Sequence, residues 1–312
     1  MRPDISIVIP VYNEEENIFP LYKKLKNDLS LLRYSFEIIF VDDGSIDGTF
    51  NKLKEIQASD KSIHIIKFRR NFGKAISLNM AFRKVKGEIV ITMDGDLQDD
   101  SGEIENFILK IFEGYDVVSG YKFPRYDPLT KTIPSLIFNK LTSCVSGVKL
   151  HDFNCGFKAY RKEVVDALYL YGELHRYTPV LANYYGFKIS EIKVKHHPRI
   201  YGKSKYGIKR LIKGMLDLIT VKFLTSYITR PLHAFGFPGI LSITVGVVIG
   251  IYLLMLKFTI NITLSDRPLL LLSIFMVLLG IQFFSLGLLG EIIISRISRE
   301  NRQECFIEKY EW

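Results

Sequence analysis

Two stretches of this chain carry no charged side chain over the length of a membrane-crossing helix. Phe235 to Leu256 and Leu269 to Leu289 are each ~20 residues, enough for a helix to cross a ~30 Å hydrocarbon layer. Only Lys257 to Pro268 separates them, so they are expected to form a two-span hairpin that returns the chain to the side it left. Cationic flanks select that side. Lys222 and Arg230 precede the first stretch and Arg296, Arg299 and Arg302 follow the second, against Lys257 and Arg267 in the connecting loop. The bias places the rest of the chain and both termini on the cytoplasmic face of the cell inner or plasma membrane.

The chain before the hairpin reads differently. Met1 to Asp4 lead straight into Ile5-Ser6-Ile7-Val8-Ile9, too short for the apolar core of a signal peptide and closed by Pro10. Similar short apolar runs recur at Phe36 to Val41, His64 to Lys67, Ile89 to Met93 and Val117 to Ser119, with helical stretches such as Glu15 to Lys26 and Lys74 to Arg83 between them. Alternating strands and helices predict an α/β fold with a parallel, doubly wound sheet. Just before the hairpin, Ile208, Leu211, Ile212, Met215, Leu216, Ile219 and Phe223 follow the i, i+3, i+4 rhythm of an amphipathic helix able to lie in the headgroup layer. Ile133, Leu136, Ile137, Leu141, Cys144 and Val145 form a second candidate. Three widely spaced cysteines (Cys144, Cys155, Cys305) suit a reducing compartment and neither a disulfide framework nor a zinc site. The net charge of +9 asks for an anionic partner. Nucleic acid is disfavoured, because no helix-turn-helix, zinc-finger or aromatic RNA-binding signature accompanies the basic residues.

The polar motifs stand at the carboxyl ends of the expected strands, where open parallel sheets bind ligands. The first strand runs into Pro10-Val11-Tyr12-Asn13-Glu14-Glu15 and the second into Asp42-Asp43-Gly44-Ser45. The fourth ends in Asp94-Gly95-Asp96-Leu97-Gln98. No G-x-G-x-x-G follows a strand and no phosphate loop of the G-x-x-x-x-G-K-[ST] type occurs, which removes the usual support for dinucleotide cofactors and ATP. A carboxylate such as Asp42 can instead accept from a nucleobase N–H. Asp96 could hold Mg²⁺ or Mn²⁺ beside a substrate diphosphate, with Gln98 in support, while Asp94 serves the ribose or the metal. Arg69-Arg70-Asn71-Phe72-Gly73-Lys74 brings cations to the start of a helix, a place suited to a diphosphate. His196 and His197 invite a zinc reading, but neighbours in a strand point to opposite faces and no further ligand pattern follows.

Ile7-Val8-Ile9-Pro10-Val11-Tyr12-Asn13-Glu14, Val41-Asp42-Asp43-Gly44-Ser45, Arg70-Asn71-Phe72-Gly73-Lys74 and Asp94-Gly95-Asp96-Leu97-Gln98 together resemble the polyprenyl-phosphate glycosyltransferases of glycosyltransferase family 2. That family includes the dolichol-phosphate mannose synthases and bactoprenol glucosyltransferases. The resemblance implies a GT-A (Rossmann-like) nucleotide-sugar-binding domain over residues 1–206. An interfacial helix at 207–230, a two-span hairpin at 231–294 and a cytoplasmic tail at 295–312 would follow. It also implies an inverting, metal-dependent transfer of a hexose to a polyprenyl phosphate such as undecaprenyl phosphate, with UDP-glucose as the first expectation for the donor and GDP-mannose next.

Carried onto this sequence, the likeness assigns donor binding to Pro10, Tyr12, Glu14, Asp42, Lys74, Asp94, Arg199 and Lys205. The metal falls to Asp94, Asp96 and Gln98, and catalysis to Asp94, Asp96 and Asp152. Asp152 comes from Leu150-His151-Asp152-Phe153-Asn154-Cys155-Gly156, which resembles the acceptor-side segment; Arg199 to Tyr206 resembles a basic loop near the donor phosphates. Lys122, Arg125, Lys131 and Ser135, in and after the segment preceding the second amphipathic candidate, are expected acceptor ligands. Lys122 stands where many such enzymes carry arginine, and lysine lacks the bidentate fork. Asp152 is expected either to orient the acceptor and stabilise developing charge or to act as a base. A processive polysaccharide synthase is the nearest enzymatic alternative, but Gln-x-x-Arg-Trp is missing, since the single tryptophan is Trp312. A non-catalytic nucleotide-sugar sensor or assembly subunit is the alternative from another class. The hairpin offers surfaces through which a homo-oligomer could form.

Overall fold

The short apolar runs of the first half become the strands of a single seven-stranded sheet. In chain order the elements are β1 (Ile5–Val11), α1 (Ile18–Ser30), β2 (Phe36–Asp42), α2 (Thr49–Ser59), β3 (Ile63–Lys67), α3 (Lys74–Phe82), β4 (Ile89–Thr92), α4 (Ile104–Phe112) and β5 (Val117–Lys122). They continue with α5 (Leu129–Ser146), β6 (Lys158–Arg161), α6 (Lys162–Ala167), α7 (Thr178–Tyr184), β7 (Ile189–Val194), α8 (Lys209–Ser226), α9 (Pro231–Ile260) and α10 (Pro268–Glu300). The computed structural model describes residues 3–123, 129–198, 209–227, 230–260 and 268–300. Two units divide the chain, Met1–Val221 and Lys222–Trp312.

The strand order is β3-β2-β1-β4-β6-β5-β7. Helices cover both faces, so β1, β2 and β4 are apolar almost without alternation, as parallel strands buried on two sides must be. Ile7, Ile9, Ile38, Phe40, Ile91, Phe107 and Phe157 belong to the resulting core, where the Phe107 and Phe157 rings meet at 4.4 Å. The sheet departs from the all-parallel expectation at β6, which runs antiparallel to both β4 and β5. Its sequence, Lys-Ala-Tyr-Arg, has two cations in four residues and gives no strand signal by apolar content. Helix α1 begins at Ile18 rather than Glu15 because the preceding turn is engaged elsewhere. Glu14 N donates to Thr49 Oγ1 (2.9 Å) and Glu15 N to Asp47 Oδ2 (3.3 Å).

At the amino-terminal edge of the sheet, the buried Glu37 carboxylate is fully engaged. Oε1 accepts from Ser6 Oγ (2.6 Å) and Lys86 N (2.7 Å), and Oε2 lies 3.4 Å from His64 Nε2. Gly87 N donates to the same Ser6 hydroxyl at 2.8 Å, so one acid pins the turn before β4 to β1 and β2.

Two further helices of this unit pack by faces other than their apolar stripes. In α5, Phe138, Asn139 and Thr142 are buried while Leu136, Ile137 and Leu141 are exposed. In α8, Leu218 is buried while Leu216 and Ile219 are exposed. Tyr177 Oη donates to the Gly214 carbonyl (2.7 Å), and a Cβ at Gly214 would stand 3.1 Å from the Phe138 ring, so α8 lies close against α5.

In the second unit, α9 and α10 are each long and apolar enough to cross a bilayer. They approach closely: a Cβ on Gly280 would stand 2.6 Å from the Gly239 carbonyl oxygen, and Ser273 Oγ donates to the Gly246 carbonyl at 2.7 Å. Small residues permit such backbone contact between apolar helices. Glu291 Oε1 accepts from Leu232 N at 3.5 Å, placing a carboxylate at the unsatisfied first turn of α9.

Candidate active site

The strand ends bring the predicted carboxylates to one rim. Register sets Val11 beside Asp42 and Val8 beside Thr92, so Pro10 near the end of β1, and Tyr12 and Glu14 just beyond it, stand between Asp42 on one side and Asp94-Gly95-Asp96 on the other. The chain reverses direction across the sheet between β1 and β4, which makes this the crevice where such sheets take ligands.

On the β2 side, Asp42 is fully buried. Its Oδ1 accepts from Ser45 N (2.8 Å), whereas Oδ2 has no hydrogen-bond partner among the described residues. A buried carboxylate oxygen without a donor is costly unless a ligand supplies one. Its neighbour Asp43 has both oxygens occupied, accepting from Phe72 N (2.7 Å) and Gly73 N (2.9 Å). Burial raises its carboxyl above the usual range despite those two donors. Asp43 thereby fixes the Arg69 to Gly73 loop and delivers Lys74, at the start of α3, to the rim.

Lys74 Nζ pairs with Asp94 Oδ1. Burial would raise Asp94, but this ammonium and the more distant Lys122 outweigh it and hold the carboxyl well below the usual range. Backbone comes close beyond Asp94: a Cβ on Gly156 would stand 2.7 Å from both carboxylate oxygens, so a larger residue there would push the carboxylate aside. Thr92 Oγ1 donates to the Gly156 carbonyl (2.8 Å) and ties that loop to the end of β4. Asp96 is buried and accepts from Gln98 N at 3.2 Å. Leu97 between them has φ of 62°, which turns the chain sharply enough to keep both side chains at the rim.

The region also holds groups that sequence reasoning missed. Asp99 is buried and accepts from Asp94 N (3.1 Å); burial and the Asp94 charge push its carboxyl up to about 6. His196 is joined to Asp99 by an isolated antiparallel bridge, and its Nε2 lies 3.4 Å from both Gln98 Nε2 and Lys122 Nζ. His197 faces the other way, toward Asp100 Oδ2 at 3.3 Å. Strand alternation separates the two histidines as expected, and the one turned inward is a neighbour of Gln98. Burial would lower Lys122, yet Asp99, Asp94 and Asp152 hold the amine above the usual lysine range. Burial, with Lys74 and Arg176 nearby, keeps His175 well below its ordinary value and therefore neutral. Lys158 on β6 is buried, donates to the Phe153 and Cys155 carbonyls, and is lowered to about 8 by burial. Asp99 directly follows the Asp94 to Gln98 motif, a position that could have drawn notice; nothing in Leu174-His175-Arg176 or in β6 marks those residues as site neighbours.

Asp152 lies on the β5–β6–β7 side, 4% exposed, with Oδ1 accepting from Asn154 N (2.9 Å). Lys122 ends β5, and Ser135 is half-buried in α5. Lys131 falls within α5 rather than before it, because the helix begins at Leu129. Its side chain, together with Arg125, Arg199 and Lys205, lies outside the described residues.

Among the described residues, no three His, Cys, Asp or Glu side chains gather as a metal cage. A hard cation that takes one or two carboxylates and completes its shell with phosphate oxygens needs no such cage. Asp94, Asp96 and Gln98 fit such an ion.

The sequence profile described as glycosyl transferase family 2 matches residues 6–169. The chain is 33% identical over 309 residues to dodecaprenyl-phosphate galacturonate synthase of Rhizobium johnstonii, covering 97% of this chain and 91% of that protein. It is 36% identical over 292 residues to undecaprenyl-phosphate 4-deoxy-4-formamido-L-arabinose transferase of Shewanella sediminis, covering 93% and 86%. The solved structure of glucosyl-3-phosphoglycerate synthase from Mycobacterium tuberculosis in complex with Mn²⁺ and UDP-glucose shares the fold at a TM-score of 0.55 and 18% identity, covering 72% of this chain and 79% of that one. The rim of carboxylates thus sits in a GT-A fold, and the chain is a glycosyltransferase that belongs to glycosyl transferase family 2.

Proposed function

We propose that this chain transfers a sugar, with inversion at the anomeric carbon, from a nucleotide-sugar to a polyprenyl phosphate such as undecaprenyl phosphate at the cytoplasmic face of the cell membrane. The observation that carries the acceptor is the likeness to two enzymes named for polyprenyl phosphates over more than nine-tenths of the chain, hairpin included. The donor reading rests on Asp42, Asp94 and Asp96 standing at one rim.

Asp96, with Asp94 and Gln98 in support, would hold Mg²⁺ or Mn²⁺, which would supply neutralisation of the departing nucleoside diphosphate. The chain's own groups do the rest. Asp42 Oδ2 offers a buried acceptor to a nucleobase N–H, and Pro10, Tyr12 and Glu14 line the nucleoside's approach. Lys74 fixes the Asp94 carboxylate and adds positive charge near the phosphates. A lipid monophosphate has a second pKa of ~6, so its oxygen reaches the sugar already anionic. As that oxygen bonds to the anomeric carbon, the bond to the diphosphate oxygen breaks and its electron pair leaves with the nucleotide. No proton need be removed, so Asp152 orients the acceptor or stabilises positive charge on the sugar. Lys122, with Arg125, Lys131 and Ser135, holds the acceptor phosphate, while the exposed apolar faces of α5 and α8 rest on the headgroup layer.

The test is transfer by purified full-length protein to undecaprenyl phosphate, using UDP-glucose, GDP-mannose, UDP-galacturonate and UDP-4-deoxy-4-formamido-L-arabinose, with Mg²⁺, Mn²⁺ or chelator. A lipid-linked monosaccharide from one donor, lost on chelation, is the expected result. A growing polymer, or only hydrolysis of every donor, overturns the reading.

A further inference from the structure

The turn carrying Asp152 is gripped from two sides by residues with no assigned role. On one side, Asn139 projects from the buried face of α5 and spans Asp152. Its Nδ2 donates to the His151 carbonyl (2.8 Å) and its Oδ1 accepts from the Phe153 amide (3.4 Å). On the other, Glu191 of β7 accepts from His151 N at Oε2 (2.8 Å) and pairs with His151 Nδ1 at Oε1. The His151 ring in turn lies against Tyr121 of β5, with centroids 4.9 Å apart and planes 22° from parallel. Peptide groups on both sides of Asp152 are therefore anchored to two separate elements, α5 and β7, while the His151 ring is held against β5.

Simple packing does not require this. Asn139 is 4% exposed on a helix face shared with Phe138 and Thr142, where an apolar side chain would avoid desolvating an amide. Both of its polar ends meet the backbone of one turn, and the enclosed residue is the buried carboxylate.

We propose that Asn139 and Glu191 are positioning residues, which fix where the Asp152 carboxylate stands relative to the anomeric carbon and the incoming phosphate. This rests on the reading of Asp152 given above. Neither residue need touch a substrate; each acts through the His151–Phe153 turn.

The test uses full-length protein, undecaprenyl phosphate and whichever of the four donors named above turns over fastest. Glu191 is the first target because its side chain is 21% exposed and tolerates replacement better than Asn139. Displacing a reacting group by about an ångström costs on the order of 10²-fold, so Glu191→Ala is expected to lower kcat by ~10- to 100-fold with both KM values changed less than about threefold. Glu191→Gln, which keeps one acceptor oxygen, recovers part of the loss. In an Asp152→Asn background the same Glu191→Ala change is expected to cost almost nothing further, because residues acting through one group are non-additive. Equal fractional losses in the two backgrounds, or an unchanged kcat, overturn the proposal. Should Glu191→Ala not fold, Asn139→Asp keeps the acceptor for Phe153 N, removes the donor to His151 O and is read in the same cycle. Wild-type kcat in Asp152→Asn alone would instead remove the role of Asp152, a failure seen without reference to either positioning residue.

Discussion

The two edges of the sheet each bury a carboxylate, and they treat it in opposite ways. At the amino-terminal edge, Glu37 meets Ser6, Lys86 N and His64, so both oxygens are satisfied within the fold. At the carboxyl-terminal edge, Asp42 keeps a buried oxygen without a partner among the described residues, and Asp94 is opposed by a lysine that reaches it from a different element. The first acid completes a structure, whereas the second edge leaves a buried acceptor that no described residue fills. Parallel strands produce this asymmetry, since their carboxyl ends open into loops that can diverge around a ligand.

If the difference is functional, substitutions at the two edges separate activity from stability. The largest effect is expected at Asp96: Asp96→Asn should reduce sugar transfer by about 10³-fold, the scale of losing one electrostatic contact to a developing charge, while leaving the thermal midpoint near wild type. Glu37→Ala reverses the pattern. Leaving Ser6, Lys86 N and His64 facing an empty acceptor should cost ~2–4 kcal/mol in denaturant unfolding, with kcat unchanged in the fraction that remains folded. A Glu37→Ala protein of normal stability but poor turnover would erase the distinction between the edges.

Asp42 sharpens the same contrast at smaller scale. If its free oxygen accepts from the nucleobase, Asp42→Ala should weaken binding of the donor's free nucleoside diphosphate by ~10- to 100-fold in calorimetry, the value of one hydrogen bond to a charged acceptor. Stability should fall little, because only the Ser45 N contact is lost. Unchanged nucleotide affinity would assign that oxygen to water.

The first edge of the site was legible because it is local. Pro10 to Glu14, Asp42, Asp94 and Asp96 each follow a strand immediately, and strand ends are forced together by sheet register. The groups around them were not, because tertiary packing brings them from afar. Asn154 to Gly156 reaches Asp94 only because β6 turns antiparallel between β4 and β5, and a four-residue strand with two cations carries no periodic signal. His196 arrives through a bridge to Asp99 from 97 positions away. The amphipathic stripes of α5 and α8 were visible, but their exposure depends on which neighbours cover Phe138, Asn139 and Leu218, a property of the fold and not of the helix.

Lys158 gives the smallest and most specific test of the carboxyl-terminal edge. Its ammonium is buried and donates to two backbone carbonyls rather than to a carboxylate, and burial lowers it to about 8 from the ordinary 10.5. Between those values the unfolded chain binds more protons than the folded one, so this group makes stability rise with pH across that window, and its full cost is present below pH 8. The denaturant midpoint of wild type should therefore climb between pH 8 and 10 relative to Lys158→Met, in which the titrating group is gone. Parallel profiles would mean that Lys158 reaches water, and that the carboxyl-terminal edge holds its cation no more tightly than a surface would.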